Sequence, residues 1–209
     1  MTRIKICGIK NMDEAQAAIN SGAWAIGEVF AVSPRQIEIE KAAALNRELG
    51  SNIVKIGVFV NEKIDDLKYI ARTCLLDMVQ LHGAEPPEYL EELGLPAIKS
   101  FRVQGPVDQA EIRRWRPWAY LFDAYSQTAM GGTGAAFHWE WLDEIRNWEN
   151  LILAGGLNED NVARAIAQVR PMAVDVSSGV EYLQGGKNPA LIEQFITKVK
   201  EADLNVSRP

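Results

Sequence analysis

The sequence predicts an α/β fold closed into a compact (β/α)8 barrel, on three observations. Eight short apolar runs alternate with eight helical segments over 209 residues, about 26 residues per unit, the rhythm of parallel strands joined by helical crossovers. Several runs are apolar at nearly every position, as in IVKIGVFV at 53–60, and strands covered by helices on both faces read this way. No longer crossover marks a point where an open sheet would reverse its strand order, so the count of eight favours closure over a doubly wound sheet. The chain is shorter than a typical barrel of this class, which requires compact loops. No linker, low-complexity run or composition shift divides it, and residues 1–209 are expected to form one barrel domain.

In chain order, the first strand is expected over Arg3–Cys7. A helix from about Met12 to Asn20 follows, with Asn11 or Asp13 as its cap. The second strand is Trp24–Phe30, and its helix Glu38–Leu49 ends at Gly50. Ile53–Val60 and Lys63–Thr73 form the third unit. Met78–Leu81 and Pro86–Leu93 form the fourth, with proline well placed in a first helical turn. The fifth is Ala97–Phe101 with a helix over Val107–Trp115. The sixth is Tyr120–Phe122, a long glycine-containing loop, and a helix over Trp139–Asn147. Leu151–Ala154, the helix Glu159–Gln168 and the strand Met172–Val176 make a βαβ unit, and Pro189–Lys200 closes the chain.

Composition narrows the function. Net charge is −6 and no Lys/Arg cluster stands out, which argues against nucleic acid or an anionic membrane surface as the main partner. The start, MTRIKICGIK, lacks the apolar core of a signal peptide, and no run of about 18 apolar residues occurs, so no membrane span is expected. The two cysteines, Cys7 and Cys74, stand outside any C-x-x-C pair. With only two histidines, no zinc site of ordinary spacing can be drawn. Free thiols imply a reducing cytoplasm.

The strand ends carry the chemistry. In a TIM barrel the C-terminal ends of the strands form the active face. Here the last two strands run into Gly155-Gly156 and Ser177-Ser178-Gly179. Glycines let a ligand approach the backbone closely, and such turns point N–H groups at an anion. Two of them side by side suit a phosphate, which places a phosphate site after strands seven and eight. The same rim collects Cys7-Gly8, Ser33-Pro34-Arg35, Asn61, His82-Gly83, Arg102 and Asp123. With no metal-ligand set or nucleotide fingerprint among them, acid–base chemistry on a small phosphorylated compound is expected.

Seven motifs sharpen this reading. They are KICGI at 5–9, SPR at 33–35, GVFVN at 57–61, QLHG at 80–83, the FD…GGTG…F-x-W stretch from Phe122 to Trp139, AGGLN-x-x-NV at 154–162 and VDVSSGVE at 174–181. In this order, and over essentially the whole chain, they resemble the phosphoribosylanthranilate isomerases of tryptophan biosynthesis. The resemblance implies an Amadori rearrangement of N-(5-phosphoribosyl)anthranilate to 1-(2-carboxyphenylamino)-1-deoxyribulose 5-phosphate, with no cofactor and no metal. By that resemblance Asp123 is the acid at the ribose ring oxygen and Cys7 the base at C2. Arg35 faces the anthranilate carboxylate, Asp175 lies near the sugar hydroxyls, and Gly155, Gly156, Ser177, Ser178 and Gly179 hold the 5-phosphate. His82 either touches substrate or holds its loop. Assembly as a monomer or a weak homodimer is expected.

Two features follow from strand geometry. Lys5 and Cys7 share a face of strand one, and Asp175 stands on strand eight, its neighbour once the barrel closes. An inward lysine is costly unless paired, so a Lys5–Asp175 ion pair is expected, bringing positive charge near Cys7. The resembling family usually reads G-F-V-F-Y-P-x-S-P-R on strand two. Here Glu28 replaces the aromatic and the segment is one residue shorter, a charge that is unfavourable unless paired or wet. Two other readings compete: a sugar-phosphate epimerase or histidine-pathway isomerase on the same phosphate-binding barrel, and a barrel that has lost catalysis. The Cys7/Asp123 combination speaks against both.

Overall fold

The computed structural model describes residues 1–123, 138–146 and 148–205. The motif residues at 124–137, with the GGTG segment, and Asn147 lie outside them. The strands are β1 (Arg3–Cys7), β2 (Ala25–Val29), β3 (Val54–Phe59), β4 (Met78–Leu81), β5 (Ala97–Arg102), β6 (Ala119–Asp123), β7 (Leu151–Ala154) and β8 (Ala173–Val176). They close in sequence order into an all-parallel barrel, with β8 returning to β1. The helices are α1 (Met12–Ser21), α2 (Ile39–Leu49), α3 (Ile64–Thr73), α4 (Pro87–Leu93), α5 (Gln109–Ile112), α6 (Val162–Val169) and α7 (Pro189–Asn205).

Alternation along each strand sorts the core into two layers. Ala25, Ile56, Met78, Ile98, Ala119, Leu121, Ile152 and Ala173 pack together inside the lower barrel. The intervening residues, among them Ile4, Ile6, Ile26, Val79, Phe122, Leu151, Leu153 and Val174, pack outward against the helices. Several of the inner residues are alanines, which suits the narrow lumen of an eight-stranded barrel.

Two expected helices are corrected. Val107–Trp115 contains only one α-helical turn, Gln109–Ile112, capped by the Asp108 side chain. Beyond it stand Arg113, Arg114 and Arg116 and then Pro117, which disfavours a helical residue before it. The segment expected as a helix over Trp139–Asn147 is a 3-10 helix at Trp139–Leu142 followed by turns. Its backbone bonds run to the third residue back, from Ile145 N to Leu142 O and from Trp148 N to Ile145 O, each 2.9 Å. The cause is in the sequence: Trp139, Leu142 and Ile145 are buried, and a spacing of three aligns side chains on a 3-10 helix but not on an α-helix. Elsewhere α6 starts after the expected Glu159, behind a turn at Asn158–Asn161, and α7 runs beyond Lys200.

Candidate active site

At the C-terminal end of the strands lies a cavity of about 540 Å³, lined by Cys7, Arg35, His82, Arg102, Asp123, Gly155, Gly156, Asp175, Ser177 and Ser178, among others. Nine of the ten site residues expected from the sequence line it. The tenth, Gly179, works behind the wall. A Cβ there would lie 2.0 Å from the Leu157 carbonyl oxygen, so only glycine lets the turn after β8 pack on the turn after β7.

Each catalytic candidate is placed by its strand. Cys7 ends β1 facing inward, above Lys5. The Lys5 ammonium donates to both Asp175 oxygens at 3.0 Å, and both side chains are buried. This is the expected pair, set by the register that places Lys5 opposite Asp175. Burial opposes the charge on Lys5, but Asp175 and Cys7 outweigh it and raise its pKa, so it stays protonated. The effect on Cys7 is weaker than expected. Burial raises the thiol, Lys5 and Lys187 pull it down, and the net direction is upward. Space for this arrangement comes from Gly27 on β2, where a Cβ would sit 2.8 Å from Cys7 Sγ and 3.0 Å from Lys5 Nζ.

Asp123 ends β6, and its Oδ2 lies 3.5 Å from His82 Nε2. On the other side of the ring, the Gln80 amide nitrogen stands 3.1 Å from His82 Nδ1 and 3.2 Å from Ser100 Oγ. The Gln80 amide thus faces Nδ1, and Nε2 is the ring nitrogen turned to the Asp123 side. The loop after His82 is held from below: Gly83 N donates to Glu85 at 3.0 and 3.1 Å, and Lys99 donates to Glu85 at 2.7 Å in a buried pair. His82 therefore sits beside a hydrogen-bonded loop and faces Asp123.

The phosphate candidates surround the β7 and β8 ends. Gly155 and Gly156 have φ of 88° and 64°, a left-handed pair that other residues rarely adopt. Asn161 holds the turn through a 2.9 Å bond to the Gly156 carbonyl. Ser177 donates to the Cys7 carbonyl at 3.0 Å, tying the β8 turn to the β1 end. Arg35 lies across Gly8 and is bound by Glu181, with Nε and Nη2 each 2.7 Å from its carboxylate.

Sequence reasoning missed Gly27, Gln80, Glu181 and Lys187. Gln80 had a signal, its two-residue spacing from His82 on one strand face. Glu181 stood at the end of a quoted motif, and Lys187 carried no signal. Glu28, by contrast, resolves as an outward side chain with no exposure. Asn46 of α2 donates to its Oε2 at 2.8 Å, its Oε1 has no hydrogen-bond partner among the described residues, and burial pushes its pKa up to about 7.

Among the described residues there is no cluster that could hold a metal ion and no helix long and apolar enough to cross a membrane. Residues 4–198 match the N-(5'phosphoribosyl)anthranilate (PRA) isomerase family. The chain is 61% identical over 201 residues to N-(5'-phosphoribosyl)anthranilate isomerase of Syntrophomonas wolfei, covering 96% of this chain and 98% of that one. The phosphoribosyl anthranilate isomerase structure from Thermotoga maritima superposes with a TM-score of 0.87 at 39% identity, covering 96% of this chain and all of that one. A phosphoribosyl anthranilate isomerase in complex with reduced 1-(o-carboxyphenylamino)-1-deoxyribulose 5-phosphate is 37% identical, with a TM-score of 0.84 over 96% of this chain and 100% of that one.

Proposed function

The chain belongs to the N-(5'-phosphoribosyl)anthranilate isomerase family, and on that premise we propose which of its residues carry the reaction. The enzyme converts N-(5-phosphoribosyl)anthranilate to 1-(2-carboxyphenylamino)-1-deoxyribulose 5-phosphate in tryptophan biosynthesis. One observation supports the roles best: Asp123 on β6 and Cys7 on β1 flank the two strands, β7 and β8, whose turns carry the phosphate candidates.

The 5-phosphate is held by Gly155, Gly156, Ser177 and Ser178 and fixes where the ribose lies, with Gly179 keeping the two turns together. Asp123 delivers a proton to the ring oxygen as the C1–O bond breaks, and the nitrogen lone pair forms the C1=N bond. Thiolate Cys7 then takes the proton from C2; that electron pair forms the C1=C2 bond while the C1=N pair returns to nitrogen, giving an enolamine, and the C2 hydroxyl loses its proton as C1 gains one, leaving the ketone at C2. Asp175 lies near the sugar hydroxyls, pinned by Lys5. His82 aims Asp123, and Arg35 meets the anthranilate carboxylate with its guanidinium fork. All of these groups come from one barrel, which supports action as a monomer or a weak homodimer. One domain over residues 1–209 fits the closure of β8 on β1 and the 2.8 Å bond from the Thr2 hydroxyl to Asp203. The free Cys7 and Cys74 fit a reducing cytoplasm.

The test is turnover of phosphoribosylanthranilate, followed by loss of its fluorescence. Cys7→Ser and Asp123→Asn are each expected to lower kcat by at least about 100-fold, the usual worth of a positioned acid or base. Activity that survives both changes removes the mechanism.

A further inference from the structure

Arg35 is held by an unusual amount of charge. Its Nε and Nη2 donate to the two Glu181 oxygens at 2.7 Å each. Glu181 also accepts from Lys187 Nζ at 2.6 Å, and the Lys187 side chain is fully buried. Lys187 is anchored in turn on the Ser177 carbonyl at 3.2 Å and hydroxyl at 3.3 Å. Burial works against the Glu181 charge, but the bonds from Arg35 and Lys187 hold its pKa down to about 2. The arginine stem is seated as well: a Cβ on Gly8 would meet Arg35 Cδ at 2.8 Å and Lys187 Nζ at 3.2 Å.

A guanidinium has five N–H groups in one plane. Glu181 takes one from Nε and one from Nη2. Two on Nη1 and one on Nη2 are left, and they form a second fork on the adjacent edge of the same plane. Arg35 lines the cavity, so this second fork is the edge available to a ligand. We propose that Glu181 is a positioning residue that determines specificity for a carboxylate-bearing aromatic substrate, by clamping Arg35 along its Nε/Nη2 edge and leaving the Nη1/Nη2 edge for the substrate carboxylate. The proposal rests on the reading of Arg35 as the carboxylate ligand. The opposite role, in which Glu181 is a competitor that must swing away, is disfavoured by Lys187. Departure of Glu181 would strand two cations, one of them fully buried, and an uncompensated buried charge is expensive.

The test is titration calorimetry with two probes: the reduced product analogue, and the same compound without its ring carboxylate. Both are titrated into the wild-type chain, Glu181→Gln, Arg35→Ala and the double variant, with circular dichroism as the check on folding. Glu181→Gln is expected to raise Kd for the carboxylate probe about tenfold or more, the scale of one charge-assisted hydrogen bond, and to leave Kd for the other probe unchanged. In the Arg35→Ala background it is expected to add nothing. Glu181→Asp, which keeps the charge but shortens the arm, is expected to show the same selective loss in smaller degree, and it serves if the glutamine variant does not fold. Tighter binding by Glu181→Gln would make Glu181 a competitor, and equal weakening of both probes would make it a general loop support. Either result, or no change, overturns the proposal. If Arg35→Ala itself fails to discriminate between the probes, the reading of Arg35 has failed instead.

Discussion

In the proposed mechanism Cys7 acts as a base in surroundings that favour its proton. Burial raises the thiol, and Lys5 and Lys187 offset this only in part. An ordinary thiol titrates near 8.5, and the shift is upward, so the thiolate grows in as pH rises through and beyond that value. The expected profile of kcat/KM therefore keeps rising on this limb past about pH 8.5, and the limb is absent from residual activity in Cys7→Ser. A plateau reached below pH 8 would mean that another group is the base or that the lysines win. That Cys7, Asp123 and Arg35 share one cavity was readable from the sequence, because strand ends and motif spacing mark them. Their contacts were not. Gln80 reaches His82 along one strand and Glu181 reaches Arg35 across the barrel rim, and which side chain meets which neighbour depends on register, which the sequence does not print.

The same holds for elements. The eight strands were readable because each is a short apolar run with a turn after it. Two helices were not: one is cut to a single turn ahead of Pro117, and in the other a three-residue apolar spacing reads much like a helical one until the bonds are seen. β2 carries two sharp expectations. Gly27 faces inward, where a Cβ would stand 3.1 Å from the Cys7 Cα as well as against the thiol. Gly27→Ala is expected to shift the Cys7 seat and lower kcat by at least about tenfold, since sub-ångström misplacement of a reacting group is costly. A variant with unchanged kcat would show that the seat is soft. Glu28 faces outward against Asn46, with Lys55 as the nearby cation and the Cys74 thiol also close by. Its folded pKa of about 7 lies above the unfolded value near 4.3, so the folded state binds the extra proton between the two. Stability from this group is present below the lower value and lost as pH rises through about 7, a difference on the order of 3 kcal/mol. Glu28→Gln is expected to raise Tm relative to the wild type at pH 8 and to bring little gain near pH 4.5. An equal gain at both values would show that the carboxyl is not titrating there.

At the scale of the molecule, closure of the barrel brings the chemistry together. β8 pairs with β1, so the phosphate candidates from late in the chain stand beside a cysteine from its start, and β6 brings Asp123 from the other side. Alternation and the count of eight made this closure readable, and seven motifs in order made the family readable. The lumen needed the coordinates: alanines fill its floor, a buried Lys5–Asp175 pair crosses its middle, and the cavity opens above. The central claim is that a phosphate anchored at β7 and β8 places the sugar between Asp123 and Cys7. A crystal structure of this chain with the reduced product analogue bound tests it most directly. The phosphate is expected within hydrogen-bond reach, about 3 Å, of backbone amides in the Gly155-Gly156 and Ser177-Ser178 turns, with an Asp123 oxygen near the former ring oxygen and Cys7 Sγ near C2. An analogue bound with its phosphate away from these turns, or with Cys7 and Asp123 on the same side of the sugar, would contradict the account.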